Sequence, residues 1–197
     1  MTTTNKTNLF GYALTVACLT LTLSAPALAQ GGPPWNAPRQ NAPVVTEALT
    51  AEEKQDLQFM REEEKLARDV YAALSAEWKL SVFDRISASE DNHFNAIGRL
   101  LARYGVDDPA KNDVPGVFVN PDLTALYGTL MTKGKLSAKD ALEVGVAIEK
   151  VDIADLEKAL IATTKTDIKR VYSNLLEASL SHQEAFETNL EAACLNP

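Results

Sequence analysis

From Thr50 onward, apolar residues recur at the three- and four-residue spacings of a buried helical face. The first long segment carries Leu57, Met60, Glu64, Ala67, Tyr71, Leu74 and Trp78 on one stripe. The second carries Ile86, Glu90, His93, Ile97, Leu100 and Tyr104. The third has Leu142, Gly145, Glu149, Asp152, Leu156 and Ala159, and the fourth Ile168, Tyr172, Leu175, Ser179, His182, Phe186 and Asn189. Start and stop signals bracket these stripes. Thr50-Ala-Glu-Glu53 is a capping box, and its helix runs to about Trp78. Ser81 with Asp84 opens the second helix and Gly105 ends it; Ser137 with Asp140 opens the third, and the fourth begins near Thr166. No strand pattern of comparable length competes, so the fold class is all-α.

The connections between these helices are unequal. The first and second are joined by a few residues, as are the third and fourth, so each pair forms an antiparallel hairpin. Residues 105–137 separate the second from the third, with Asp107-Asp108-Pro109, Val114-Pro115-Gly116 and a short helical piece around Asp122 to Lys133. A helix of about 25 residues is about 37 Å long, and this connector can travel back along one. The prediction is a four-helix bundle with one long crossover between helices two and three, carrying a short extra helix. That is the ferritin-like arrangement.

Each stripe is interrupted at its middle by groups that bind hard or borderline cations: Glu64; Glu90 and His93; Glu149 and Asp152; Ser179 and His182. In a bundle the helix midpoints meet, so these groups predict one polar layer. The chain has only two histidines, and both fall in it. Burying such groups bare costs several kcal/mol, and crowded carboxylates are driven to protonate unless cations neutralise them. One inward Glu or His alone is more often a satisfied core group; the conjunction points to metal. Iron or manganese suits this donor mixture, with zinc as a further candidate. Tyr71 and Tyr172 read as packing residues with a hydroxyl partner. Glu62-Glu63-Glu64-Lys65 reads as a solvated charge run in which only Glu64 is in phase with the stripe.

The N-terminus changes the picture of where the bundle works. Residues 1–29 have the form of a secretory signal, with Lys6 as the only charge, an apolar run from Leu9 to Leu23 and Ala27-Leu28-Ala29 as a small-x-small cleavage site. The run is too short and Thr-rich to favour a membrane span. Losing Lys6 takes the net charge from −8 to −9. An acidic exported chain without a basic patch is a poor partner for nucleic acid or anionic membrane. The signal also removes Cys18, leaving Cys194 alone, so no internal disulfide forms and dimer cross-linking is its minority reading. Residues 30–49, with Gly31-Gly32-Pro33-Pro34 and Trp35, read as a flexible lead, and 50–193 as the folded domain.

These motifs carry a resemblance. Glu64-Lys-Leu-Ala-Arg-Asp-Val-Tyr71 resembles the first-helix motif of rubrerythrin-type ferritin-like proteins, and Glu90-x-x-His93 is similar to their second-helix motif. Glu149-x-x-Asp152 resembles the paired carboxylates that some carry on the third helix. From about 50 to 193 the chain resembles the exported family known as domain of unknown function 2202. The fourth helix departs from the pattern: a second Glu-x-x-His would put Glu at 179, where this chain has Ser179-Leu-Ser-His182. Glu177 lies roughly 140° round the helix from His182 and does not replace it.

The resemblance implies an exported dimetal carboxylate protein, with iron first and manganese or zinc as alternatives, acting on ferrous iron, dioxygen or peroxide. Glu64 and Glu149 would be terminal or bridging ligands, Glu90 the principal bridge, and His93 and His182 one imidazole per metal. Asp152 would supply an extra carboxylate. Tyr71 and Ser179 would stand behind the ligands, Ser179 bonding a metal-bound water and leaving the position beside His182 more open. The destination is periplasm or exterior, with no stable membrane insertion after cleavage and a homodimer as one arrangement. A non-catalytic metal-binding or structural envelope bundle is the alternative from another class.

Overall fold

The computed structural model describes residues 48–195, so the predicted signal (1–29) and nearly all of the lead (30–49) lie outside the described residues, as does the side chain of Cys194. Five helices and no strand occur among them: α1 (Ala51–Trp78), α2 (Ser81–Tyr104), α3 (Pro121–Gly134), α4 (Ala138–Ala162) and α5 (Thr166–Leu195). None of these helices is long and apolar enough to cross a membrane.

Local chemistry sets the helix ends. At α1, Thr50 Oγ1 accepts from Glu53 N at 3.1 Å while the Glu53 carboxylate accepts from Thr50 N at 3.0 Å, which occupies two donors that the first turn leaves free. The Ser137 hydroxyl caps α4 by accepting from Asp140 N, and Asn120 caps α3 with Pro121 at its first position. The start of α2 differs from the pattern. Its cap position is Leu80, whose side chain has no acceptor for a cap bond, and Asp84 is engaged instead by the Ser75 hydroxyl at 2.5 Å. That bond clamps the two-residue turn between α1 and α2. Gly105 ends α2 at φ +62°, a left-handed conformation that glycine adopts without a Cβ penalty.

Residue pairs give the directions. Ser75 meets Asp84, Arg68 meets Asp91, and Arg61 donates to the Phe94 carbonyl. As one number falls the other rises, so α1 and α2 are antiparallel. Tyr71 meets Glu149, and Glu53 meets Thr163 at the end of α4, so α1 and α4 are antiparallel. Glu90 with His182, and Tyr104 with Asp167, make α2 and α5 antiparallel. Glu149 faces His182 and Gly145 lies under the Phe186 ring, where a Cβ would come within 2.7 Å, so α4 opposes α5. Helices α2 and α4 therefore run the same way, and residues 105–137 return the chain between them.

The stretch before α3 lies on α1, and this corrects the reading of Glu62–Lys65 as solvated. Arg61, Glu62, Glu63 and Lys65 are all buried. Glu62 accepts from Val119 N and Asn120 N at 2.5 and 3.0 Å. Lys65 donates to Val114 O at 2.7 Å and pairs with Asp69 at 2.5 Å, and Asp69 accepts from Gly116 N. Arg61 pairs with Asp108 at 2.9 Å. A loop laid on a helix must satisfy its own backbone polar groups. Here the charge run supplies the partners.

Two apolar clusters form the interior. One holds Val70, Leu74, Phe83, Leu142 and Phe186; the other holds Leu57, Met60, Ile97, Leu156 and Tyr172. The residues that interrupt the four stripes lie between them in sequence on every helix.

Candidate metal centre

Helical phase brings the polar interruptions inward. Glu64, Glu90, Glu149 and Ser179 are 0–2% exposed, and His93, Asp152 and His182 are 7–9% exposed. Glu90 and His93, three apart on α2, share a face, with Glu90 Oε2 2.7 Å from His93 Nδ1. The other Glu90 oxygen, Oε1, lies 2.8 Å from His182 Nδ1 on α5. Glu64 Oε2 on α1 is 3.3 Å from His93 Nδ1, and Glu149 Oε2 on α4 is 3.7 Å from His182 Nδ1. Two triads result, Glu64–Glu90–His93 and Glu90–Glu149–His182, each with its donor atoms within 4.8 Å of one another. Glu90 belongs to both.

The fit to cations rests on what the donors lack. Glu64 Oε1 and Asp152 Oδ1 are buried without a hydrogen bond, and the Glu90 oxygens and the two histidine Nδ1 atoms have only one another and the neighbouring carboxylates to face. Buried polar atoms are normally satisfied, and a cation would serve Glu64 and Asp152 together with the donors that now face only one another. Donors about 2.1 Å from one ion and at right angles to each other sit about 3 Å apart. The nitrogen–oxygen separations of 2.7–3.7 Å bracket that spacing. Four ionised carboxylates (Glu64, Glu90, Glu149, Asp152) also balance two divalent cations in charge.

Without a cation, the layer distributes protons unevenly. Burial pushes Glu64 well above the carboxylate range, with Asp152 adding to the rise. Burial likewise takes Asp152 to about 7 and Glu149 to about 6, against the hydroxyl of Ser179 and the imidazole of His182 respectively. Glu90 is also buried, yet the two imidazoles hold it at about 2. Burial would lower both histidines, but their carboxylates raise His93 to about 10 and His182 to about 9. The metal-free layer is thus an anionic Glu90 between two imidazolium rings.

Five of the six predicted ligands therefore meet in the triads. Asp152 lies in the same layer but outside both of them. The Tyr71 hydroxyl donates to Glu149 Oε1 at 2.7 Å and stands behind that ligand. The Ser179 hydroxyl lies 2.9 Å from Leu175 O, one turn back on its own helix, and also faces Asp152, whose ionised form it favours. Tyr172 Oη lies 3.2 Å from Asp56, away from the layer. Glu63 is the residue that stripe reasoning passes over. It is buried, and its Oε2 has no hydrogen-bond partner. The signal was present in Phe59, Glu63, Leu66 and Val70, a second ridge at spacings of four, three and four.

Residues 53–196 match the family described as "Uncharacterized protein domain (DUF2202)". An uncharacterized protein of Methanocaldococcus jannaschii, MJ0754, is 51% identical over 138 residues, which cover 70% of this chain and 75% of that protein. The crystal structure of hypothetical protein MJ0754 from Methanococcus jannaschii superposes with a TM-score of 0.74 at 47% identity, over 77% of this chain and 87% of that one.

Proposed function

The chain belongs to the DUF2202 family, and we propose that this member is an exported, ferritin-like dimetal carboxylate protein, an oxidoreductase acting on ferrous iron, dioxygen or peroxide. The observation that carries the reading is the Glu90 carboxylate, which turns one oxygen to His93 and the other to His182. A carboxylate shared between two otherwise separate His/Glu triads is the arrangement by which one side chain bridges two ions. The ferritin-like assignment is supported by the antiparallel hairpins α1–α2 and α4–α5 and the long return between α2 and α4. Export is supported by the signal-like residues 1–29.

In this reading Glu64 and His93 hold one ion and Glu149 and His182 the other, with Glu90 between them and Asp152 as the supplementary carboxylate. Iron is preferred, and manganese and zinc fit the same donors. Bound iron would supply the one-electron chemistry that no side chain of the layer offers. The protein's own residues orient and insulate. Tyr71 fixes Glu149 by donating to it, and the imidazoles bind through Nδ1 with the ring proton on the other nitrogen. The apolar clusters on either side keep bulk water out, which strengthens the electrostatics inside.

The test is to load the protein with ferrous ion under nitrogen and then admit dioxygen or hydrogen peroxide. The reading expects a yellow ferric product and oxidant consumption that continues with added reductant, both lost in Glu90→Gln. Tight ion uptake with no oxidant consumption would make it a non-catalytic metal-binding bundle instead.

A further inference from the structure

A slot of about 110 Å³ lies between α1, α3 and α4. Leu126, Ala147 and Val151 line it and are exposed, so they form its mouth, with Leu130 beside them. Glu63 and Asp152 also line it and are only 7% exposed each, so they form its inner end. The other lining residues are aliphatic. Glu63 Oε2 and Asp152 Oδ1 are the two polar atoms there that have no hydrogen-bond partner. Glu63 directly precedes Glu64, and Asp152 is one turn from Glu149. The inner end of the slot therefore abuts the polar layer. The cavity beside Thr163 and Tyr172 and the groove beside Arg68 and Asp91 have no residue of that layer in their linings.

We propose that this slot is the inlet by which dioxygen, a small apolar oxidant, reaches the layer; the inference rests on the dimetal reading above. Its size and walls argue for that ligand class. Apolar cavities of about 150 Å³ stay dry and take up xenon or benzene, and the present slot is of the same order. Aliphatic walls penalise a hydrated ion, which would have to shed water without replacement donors along the way. A diatomic gas meets no such penalty. The mouth is open at Leu126, Ala147 and Val151, whereas the crossover lies on α1 at Val114 and Val119, and an apolar cluster lies on either side of the layer along the helices.

The test uses the full folded chain and separates the inlet from the metal reading. Metal titration of wild type tests the dimetal reading before any oxidant is admitted. Xenon-pressurised crystals of the metal-free protein should show xenon in the slot. Ala147→Phe, at an exposed position, should abolish that xenon and slow single-turnover oxidation of the ferrous form by dioxygen at least tenfold, with an unchanged metal titration. Val151→Ala, which widens the mouth, should oxidise at the wild-type rate or faster. Absence of xenon from the slot, or wild-type oxidation rates in Ala147→Phe, would overturn the inlet. So would manganese found between Glu63 and Asp152, which would make the slot a cation site. A protein that takes up no metal overturns the dimetal reading and the inlet with it.

Discussion

The rings of His93 and His182 lie stacked, 5.6 Å between centroids and 24° between planes, although they come from different helices. Two imidazoles raised toward full protonation would repel at this distance. Glu90 offsets that repulsion, with one oxygen against each Nδ1. In the metal-free protein Glu90 is therefore the stabilising member of the layer. Glu90→Gln should lower its melting temperature at pH 7, by the several degrees that a loss of about 1–3 kcal/mol produces. Calorimetry on protein treated with chelator checks this.

Asp152 should behave in the opposite way. It lies outside both triads, and burial holds it at about 7. Below its ordinary value of 3.8 it is protonated in both folded and unfolded chains. As pH rises toward 7 the unfolded chain releases a proton that the folded chain keeps, so stability falls. Glu149, at about 6, adds to the same decline. The contributions of His93 and His182 are present below 6.5 and are lost as pH rises through about 9 to 10. Glu90 contributes above 4.5 and loses that contribution as pH falls through about 2. The metal-free protein should thus be most stable at about pH 4–5 and decline toward alkaline pH. Asp152→Asn should flatten the acidic part of the decline in a denaturant-midpoint series.

Divalent metal should reverse that profile. Ions compete with protons for the same nitrogen and oxygen atoms, so binding releases protons and strengthens with pH. Added manganese at pH 8 should raise the melting temperature more than at pH 5, in proportion to occupancy. An equal shift at both pH values would show that the ion binds elsewhere.

Tyr71→Phe tests the residue behind Glu149. It removes the 2.7 Å donor to Glu149 Oε1 and should weaken the ion beside His182 by about 10- to 100-fold. The ion beside His93 should be unaffected. Competition titrations that resolve two affinities would show this split.

The crossover offers a prediction remote from the centre. Glu62 is buried and accepts from Val119 N and Asn120 N. Glu62→Ala strands both donors and should cost about 2–4 kcal/mol. Amide exchange should quicken at residues 114–120, with metal affinity unchanged.

How much of this was legible beforehand varied with the physics involved. Helix limits such as Thr50–Trp78 and the cap at Gly105 were readable because local chemistry sets them. The inward stripes were readable because a helical face repeats. The charge run around Glu62–Lys65 was misread, since its loop partners lie 49 to 58 residues away, on a segment whose path no periodicity encodes. Glu64, Glu149 and Asp152 rise as crowding in one layer implies, but the one carboxylate that stays ionised was not legible. Only geometry distinguishes Glu90, flanked by two imidazoles, from Asp152, which lies outside both triads.

The most direct test of the central claim is an anaerobic ferrous titration of the full chain, read by calorimetry and elemental analysis, beside Glu90→Gln. Two triads sharing Glu90 predict two tight equivalents per chain, both lost together in the variant. No stoichiometric uptake, or uptake that Glu90→Gln leaves intact, would contradict it.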